Sequence, residues 1–472
     1  MARSVGSAES PGDRDALNTG QVYIICDSAV SGVEPKAIMS GTQRVVRWYP
    51  PAYDIRVEDA PIPQIIDDDD AIVKVILAGL CGSDLHIYRG HEDVDRDLIC
   101  GHEIIGEVVA LGSSFCPDSI GRPELYSTLK VGDKVVSPFT VSCGECHFCR
   151  IGFTCRCKHS CLLGIPALPG GQAQYIRIPK AGGTLFSLNS HHVSSSRPVP
   201  DLSTLSDSSL LLLADILPTG AFAAIQALQH PKVAPILIGA KYPFGGFVAH
   251  RVTARDQTSV GLQAEDRILT IGIVGLGPVG ICATVSLLDM LSGLAESQGL
   301  VYQIIAIDPL ESRRSKMEAV YDTIHSGGKA WTGRFAVASI DDGKKLSAEW
   351  TDGAGCNAVL EVVGNNNALT LSYEIVRPFG IISSVGVHQE PPLPFNGRGV
   401  YDKNVSFDFG RCPVRAMFPI AVDILLKRQD VFGSVGEKAS LIDKIVPLNE
   451  APDAYEDFDK GRCGKILFDP WR

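Results

Sequence analysis

The stretch that most constrains this chain is an apolar run, Ile268–Val274, that enters Gly275-Leu276-Gly277-Pro278-Val279-Gly280 and leaves through a second apolar segment, Ile281–Leu288. A G-x-G-x-x-G between strand-like and helix-like segments calls for a tight turn at its first glycine, bare backbone at its second and close helix packing at its third. The turn ends at a helix N-terminus, where unpaired N–H groups and the dipole favour an anion. Gly275, Gly277, Pro278, Val279 and Gly280 are therefore expected to cradle a dinucleotide pyrophosphate, the alternative being a plain βα turn. Short apolar runs follow at Ile304–Ile307, Ala358–Val363 and Ile381–Val385, separated by helix-length segments. Unbroken Val/Ile/Leu strands alternating with helices predict a doubly wound α/β lobe whose parallel sheet is covered on both faces.

The run Ile304–Ile307 ends at Asp308. A carboxylate there would take both ribose hydroxyls and repel a 2′-phosphate, which favours NAD. It lies 33 positions after Gly275, against about 20 in the usual fingerprint. The excess falls in 289–303 and lengthens the helix and its loop. Asp308 would equally cap the helix that follows Pro309, and Arg313 and Arg314 nearby leave NADP open.

Ahead of this lobe the pattern differs. Arg44–Trp48, Ile72–Ala78, Ile104–Leu111 and Asp133–Pro138 alternate apolar and polar residues between Gly, Pro and Asp, the signal of half-buried strands. The chain returns to short strand-like pieces at its end, closing with Lys465–Phe468. With 472 residues, two or three domains are expected. The reading is a disordered extension over 1–40, a β-rich lobe over 41–215, the inserted parallel-sheet lobe over 216–409, and a return to the β-rich lobe over 410–472. Two segments exceed what short connections need. One spans about 230–265 and contains Lys241-Tyr242-Pro243-Phe244-Gly245-Gly246; the smaller one spans 116–128.

Of the 14 cysteines, four follow the pattern Cys143-x2-Cys146-x2-Cys149-x7-Cys157. That spacing lets a looping backbone close four sulfurs around one tetrahedral zinc with no open position, a structural site. Cys155 and Cys161 are spare thiols beside it, so the fourth ligand is less firmly fixed by spacing than the first three. Metal binding in a reducing compartment suits this density better than a disulfide framework. A cytoplasmic address is expected, since the N-terminus lacks the apolar core of a secretory signal. The formal net charge of −11 argues against nucleic acid and anionic membranes as partners. No uninterrupted apolar stretch of about 18–20 residues predicts a spanning helix. The acidic run Asp67–Asp70 is expected to be a solvated turn.

Five motifs now stand in a telling order: Cys81-Gly82-Ser83-Asp84-Leu85-His86, Gly101-His102-Glu103-Ile104-Ile105-Gly106-Glu107, the four-cysteine loop, Gly170-Gly171-Gln172-Ala173 and the glycine fingerprint. From about Gly41 onward the chain resembles the zinc-containing medium-chain dehydrogenases, alcohol dehydrogenase-like enzymes with a GroES-like catalytic domain and a Rossmann domain. The resemblance implies a catalytic zinc held by Cys81, His102 and a third residue before the cofactor lobe. That place reads Leu213-Ala214-Asp215-Ile216-Leu217-Pro218-Thr219-Gly220, so Asp215 stands where the family often has Cys. In this the motif is similar to that of glutathione-independent formaldehyde dehydrogenase. Thiolate, carboxylate and neutral imidazole still neutralise Zn²⁺. The alternative for Asp215 is a helix cap.

The resemblance further implies roles for single residues. Ser83 and His86 match a proton relay, the alternatives being a helix cap for Ser83 and a solvent-facing His86. Asp84 matches an acceptor for a ligand imidazole, and Glu103 a carboxylate behind the zinc that transiently coordinates it. Thr219, Val363, Val385 and Val387 match the nicotinamide wall, and Arg313 a partner of the adenosine ribose. Gly82 replaces a basic residue that some relatives place on the pyrophosphate. The expected enzyme carries one catalytic and one structural zinc, forms dimers or tetramers, and moves hydride between a small alcohol, aldehyde or ketone and NAD. Its rivals are an NADPH-dependent carbonyl reductase and a non-catalytic cofactor-binding protein on the same fold.

Overall fold

A computed structural model describes residues 23–24, 40–116, 128–189, 201–242, 262–326, 333–389 and 391–472. The fingerprint strand, Ile268–Val274, is central in a six-stranded parallel sheet. The order is Arg334–Ala338, Val301–Ile307, Ile268–Val274, Cys356–Glu361, Val376–Ser384, Ser406–Phe409. Chain order reverses beside Ile268–Val274, so the loops after it and after Cys356–Glu361 diverge and leave a crevice at their C-terminal ends. Leu269, Ile271 and Ile273 are fully buried, as are Ile304 and Ile305 next door. Such strands need helices on both faces, and Pro278–Gln298 and Asn366–Ile375 are two of those that cover this sheet.

The second lobe is an eight-stranded sheet built mainly on Ala71–Leu80, Ile104–Leu111, Lys134–Ser137 and Phe186–Ser187. The end of the chain completes it. Lys465–Asp469 runs antiparallel to Ala71–Leu80 with Ile466 opposite Leu80, Leu467 opposite Gly79 and Phe468 opposite Ala78. Ile442–Pro447 then pairs parallel to Lys465–Asp469. The fold is thus a β-rich lobe drawn from both chain ends around an inserted doubly wound lobe.

The helix Ile216–Gln229 joins the lobes and packs along Pro278–Gln298. Pro278–Gln298 is long and apolar enough, by length and composition, to cross a membrane. No single apolar run reveals this, because polar residues interrupt it; here it packs on the parallel sheet and on Ile216–Gln229.

Several expectations change. Tyr23–Ile24, inside the extension expected to be disordered, pairs in parallel with Ala110–Leu111; the rest of 1–39 lies outside the described residues. Asp67–Asp70 is a turn, but only half of it is solvated. Asp70 is fully buried, accepts from the Ile66 and Asp67 amides at 2.9 Å each and pairs with Arg177 at 2.9 Å. Asp69 pairs with Lys180 at 2.7 Å, so basic partners from 177–180 replace water around two of the four carboxylates. Of the insertion at 230–265, Ala234–Leu237 forms a short helix and 243–261 lie outside the described residues, as do 117–127 of the smaller one. Cys116 is disulfide-bonded, while Cys143, Cys146, Cys149 and Cys157 are free thiols.

The contact between the joining helix and the fingerprint helix depends on Gly220, where a Cβ would lie 2.5 Å from the Ala283 amide nitrogen and 2.7 Å from the Cys282 Cβ. Backbone cannot yield as a side-chain tip does. Gly220→Ala is expected to cost about 1–3 kcal/mol and lower the melting temperature in a thermal scan. An unchanged melting temperature would show that the two helices separate freely.

Candidate functional site

Three segments meet below the crevice. Cys81 follows the strand Ala71–Leu80, His102 and Glu103 precede the strand Ile104–Leu111, and Asp215 stands at the start of the helix Ile216–Gln229. One ligand atom from each of these four buried residues lies within 4.8 Å of the others. The Cys81 Sγ is 3.4 Å from Asp215 Oδ2, which is 3.4 Å from His102 Nε2. Asp215 occupies the cap position, yet its side chain makes no capping bond. Its carboxylate faces the cluster instead and accepts from the Thr219 hydroxyl at 2.8 Å.

Burial, together with the Asp215 and Glu103 carboxylates, pushes the Cys81 thiol up to about 11. Burial also opposes ionisation of Asp215, but hydrogen bonds from His102 and Thr219 hold its carboxyl below the usual range. A thiol and a carboxylate in contact away from water become a stable anionic pair only beside a cation. Sulfur, imidazole and carboxylate together are donors that zinc accepts, so the residues fit a zinc ion with one side open to the cleft.

The surroundings hold these donors in place. Asp84 Oδ1 lies 3.3 Å from His102 Nδ1, and its Oδ2 accepts from the Cys81 amide at 2.9 Å. Gly170 has no room for a Cβ, which would lie 2.2 Å from the Cys100 carbonyl oxygen. Gln172 donates to the Gly79 carbonyl at 3.0 Å and accepts from the Tyr455 hydroxyl at 2.9 Å. The Gly170–Gln172 motif thereby clamps the chain that carries His102.

Ser83 opens the short helix Asp84–Tyr88 without a side-chain capping bond, and its hydroxyl is 3.9 Å from Cys81 Sγ. His86 is half-buried, and its Nδ1 is buried without a partner. Burial, aided by Arg89 and His91, lowers its pKa.

Sequence reasoning missed Lys465. It is fully buried, donates to the Leu80 carbonyl at 3.1 Å and forms a very short ion pair with Glu103. The available signal was a lone charge heading the otherwise apolar Lys465-Ile466-Leu467-Phe468.

The four-cysteine loop closes as its spacing suggests. Cys146 Sγ is 3.6 Å from Cys149 Sγ and 3.8 Å from Cys157 Sγ, and all four sulfurs lie within 4.8 Å. Local amides point at the sulfurs, with Cys146 N 3.3 Å from Cys143 Sγ and His159 N 3.3 Å from Cys157 Sγ. Cys155 and Cys161 stand outside this group.

A cleft of about 700 Å³ runs from Cys81, Ser83 and His86 to the glycine loop, with Val363, Val385 and Val387 on its wall. A Cβ on Gly280 would lie 2.0 Å from the Gly275 carbonyl oxygen, whereas one on Gly277 would meet nothing nearer than Arg313 at 3.9 Å. The loop is therefore tight behind and open in front, which fits a pyrophosphate. Thr219 and Asp308 both make hydrogen bonds within the protein. Thr219 is turned to Asp215. Asp308 is buried, accepts from the Leu276 amide at 2.8 Å and the Leu310 amide at 2.9 Å, and lies 3.5 Å from Arg313. It both pins the glycine loop and caps the turn after it. Arg314 donates to the Asp308 and Pro309 carbonyls at 2.9 and 2.7 Å.

The family described as alcohol dehydrogenase GroES-like domain matches residues 67–188. A zinc-type alcohol dehydrogenase B of Aspergillus flavus is 35% identical over 90% of this chain and 81% of the relative. A glutathione-independent formaldehyde dehydrogenase of Pseudomonas aeruginosa is 26% identical over 92% of this chain and 98% of its own. Among solved structures, the alcohol dehydrogenase TADH from Thermus sp. ATN1 superposes with a TM-score of 0.64 at 26% identity, covering 90% of this chain and 99% of that one.

The Lys465–Glu103 pair gives a direct test of how the floor of the site is held. Lys465→Met would leave a fully buried carboxylate without its cation and is expected to cost about 3–5 kcal/mol in denaturant unfolding. Lys465→Met with Glu103→Gln is expected to recover much of that loss. Equal stability of the single variant and the wild type would mean Glu103 is neutral there.

Proposed function

We propose, from the premise that this chain belongs to the zinc-type alcohol dehydrogenase family, that it is a zinc-dependent oxidoreductase passing hydride between a small alcohol or aldehyde and NAD. The observation that carries this reading is the meeting of Cys81, His102 and Asp215 in one buried cluster, of which Cys81 lines the same cleft as the glycine loop. When bound, zinc supplies Lewis-acid polarisation of the substrate oxygen and nicotinamide supplies the hydride acceptor.

Cys81, His102 and Asp215 hold the metal, Asp84 fixes the His102 ring, and Thr219 fixes the Asp215 carboxylate. Glu103 stays behind them, its charge balanced by Lys465. Ser83 takes the proton leaving the substrate hydroxyl. His86, kept neutral by its lowered pKa, receives that proton and releases it toward the cleft mouth. Cys143, Cys146, Cys149 and Cys157 hold a second, structural zinc. The open edge of the strand Ser406–Phe409, with Phe409 exposed, supports a homo-oligomer, and the reading keeps a cytoplasmic address.

NAD rather than NADP is inferred from the Asp308 carboxylate, which sits at the end of the second strand of the parallel sheet where a 2′-phosphate would meet its charge. Asp308→Ser is expected to narrow the ratio of kcat/KM for NAD over NADP by about tenfold or more, near 1.4 kcal/mol. A wild type that already prefers NADP would reverse the assignment.

Asp215→Asn keeps shape but removes the negative charge. Turnover is expected to fall by about two orders of magnitude or more, with the zinc at Cys81 partly lost and the four-cysteine zinc retained in metal analysis. Asp215→Cys restores charge and donor, and should retain metal and part of the activity. Near-wild-type turnover and two retained zincs in Asp215→Asn would rule out an anionic ligand role.

A further inference from the structure

At the C-terminal ends of two neighbouring parallel strands, three polar side chains close on one another. Glu361 ends Cys356–Glu361, Ser384 ends Val376–Ser384, and His388 follows in the next loop. Glu361 and Ser384 are fully buried and the His388 side chain is 13% exposed. The Ser384 Oγ lies 2.6 Å from Glu361 Oε2 and 2.8 Å from His388 Nε2, while His388 Nε2 is 2.9 Å from the same carboxylate oxygen. The other oxygen, Glu361 Oε1, accepts from the amides of Val363 at 2.9 Å and Gly364 at 2.8 Å.

This is not a hydrolytic relay. In such a relay the acid holds the imidazole nitrogen away from the serine. Here both contacts fall on Nε2, Nδ1 is buried without a partner, and the serine hydroxyl is spent on the carboxylate.

The two loops that the cluster joins are the wall of the cleft. Val363 and Gly364 line it from one loop, Val385 and Val387 from the other. Their backbones touch so closely that a Cβ on Gly386 would lie 2.2 Å from the Gly364 nitrogen. One buried carboxylate thus ties both loops, through two amides on one side and through Ser384 and His388 on the other. Beyond the strand, His388 tethers its loop inward to Glu361, and Gln389 tethers it outward to Glu92 of the other lobe at 2.9 Å. The His388 ring also rests edge-on against Phe409 with centroids 5.2 Å apart.

We propose that Glu361, Ser384 and His388 are positioning residues that hold these two loops at the spacing that grips the nicotinamide half of the cofactor. His388 is the part that can be withdrawn without collapsing the rest, because Glu361 would keep three donors: the Ser384 hydroxyl and two amides. The inference rests on the preceding reading that the cleft takes a nicotinamide cofactor.

The test compares zinc-loaded wild type, His388→Ala and His388→Gln by fluorescence titration with NADH, steady-state kinetics, thermal unfolding and zinc content. His388→Ala is expected to raise the Kd for NADH and the KM for NAD about tenfold, with a smaller change in kcat. Zinc content and melting temperature should stay close to wild type. His388→Gln, whose side-chain amide can again reach Glu361, should recover most of the affinity. Unchanged NADH affinity in His388→Ala overturns the positioning role alone. So does a loss of affinity that tracks a large fall in melting temperature and is not recovered in His388→Gln. A wild type that binds neither NADH nor NADPH overturns both this inference and the cofactor reading beneath it.

Discussion

The metal centre depends on three antiparallel residue pairs, Ile466 with Leu80, Leu467 with Gly79 and Phe468 with Ala78. They bring the last strand of the chain against the strand that ends just before Cys81. That register sets the Lys465 ammonium beside Leu80 and Glu103, where nothing else of positive charge is in bonding contact with that carboxylate among the described residues. The carboxylate in turn occupies space that only glycine can leave, since a Cβ on Gly79 would lie 2.0 Å from Glu103 Oε2. A buried ion pair is stable only when each charge has its partner and further hydrogen bonds. The Leu80 carbonyl provides one to Lys465. The site is therefore assembled from the two ends of the chain, and neither end builds it alone.

The two metal clusters solve one problem in opposite ways. In the four-cysteine loop, all donors come from fifteen consecutive residues and the backbone that presents the sulfurs also stabilises their charge through its own N–H groups. Such a site is closed and needs little from the rest of the protein. In the cleft the donors come from three distant segments, and each is oriented by another side chain: His102 by Asp84, Asp215 by Thr219. That dispersal leaves one face toward Ser83 and the cleft, where a substrate oxygen can approach.

What was legible in the sequence was local. The strand–glycine–helix pattern and the cysteine spacing each sit in one short stretch, and periodicity alone located the fingerprint strand and Ile104–Leu111 with their observed ends. Asp215 was legible only through resemblance, because nothing near it announces a ligand. Lys465 and the Glu361–Ser384–His388 cluster were not legible at all. Their partners lie far along the chain or across a sheet, and a lone Lys, Glu or His carries no pattern. The Gly170–Gln172 motif was visible, but its purpose required knowing that Cys100 and Gly79 pass beside it. Thr219 and Asp308 were legible as candidates, but the bonds they make within the protein were not. Thr219 donates to the Asp215 carboxylate, and Asp308 accepts from the Leu276 and Leu310 amides, partners that no motif reveals.

The joining helix carries one last consequence. Asp215 stands at its first turn, and one turn later Gly220 lies flush against Ala283 on the helix that begins at the glycine loop. Asp215 and the glycine loop are thus joined through two helices in close contact. If Asp215 holds zinc and the glycine loop a dinucleotide, as proposed, a shift of the cradle would be felt at the metal through this contact. Linkage then makes the coupling mutual: to the extent that zinc tightens the grip on the nucleotide, the nucleotide tightens the grip on zinc.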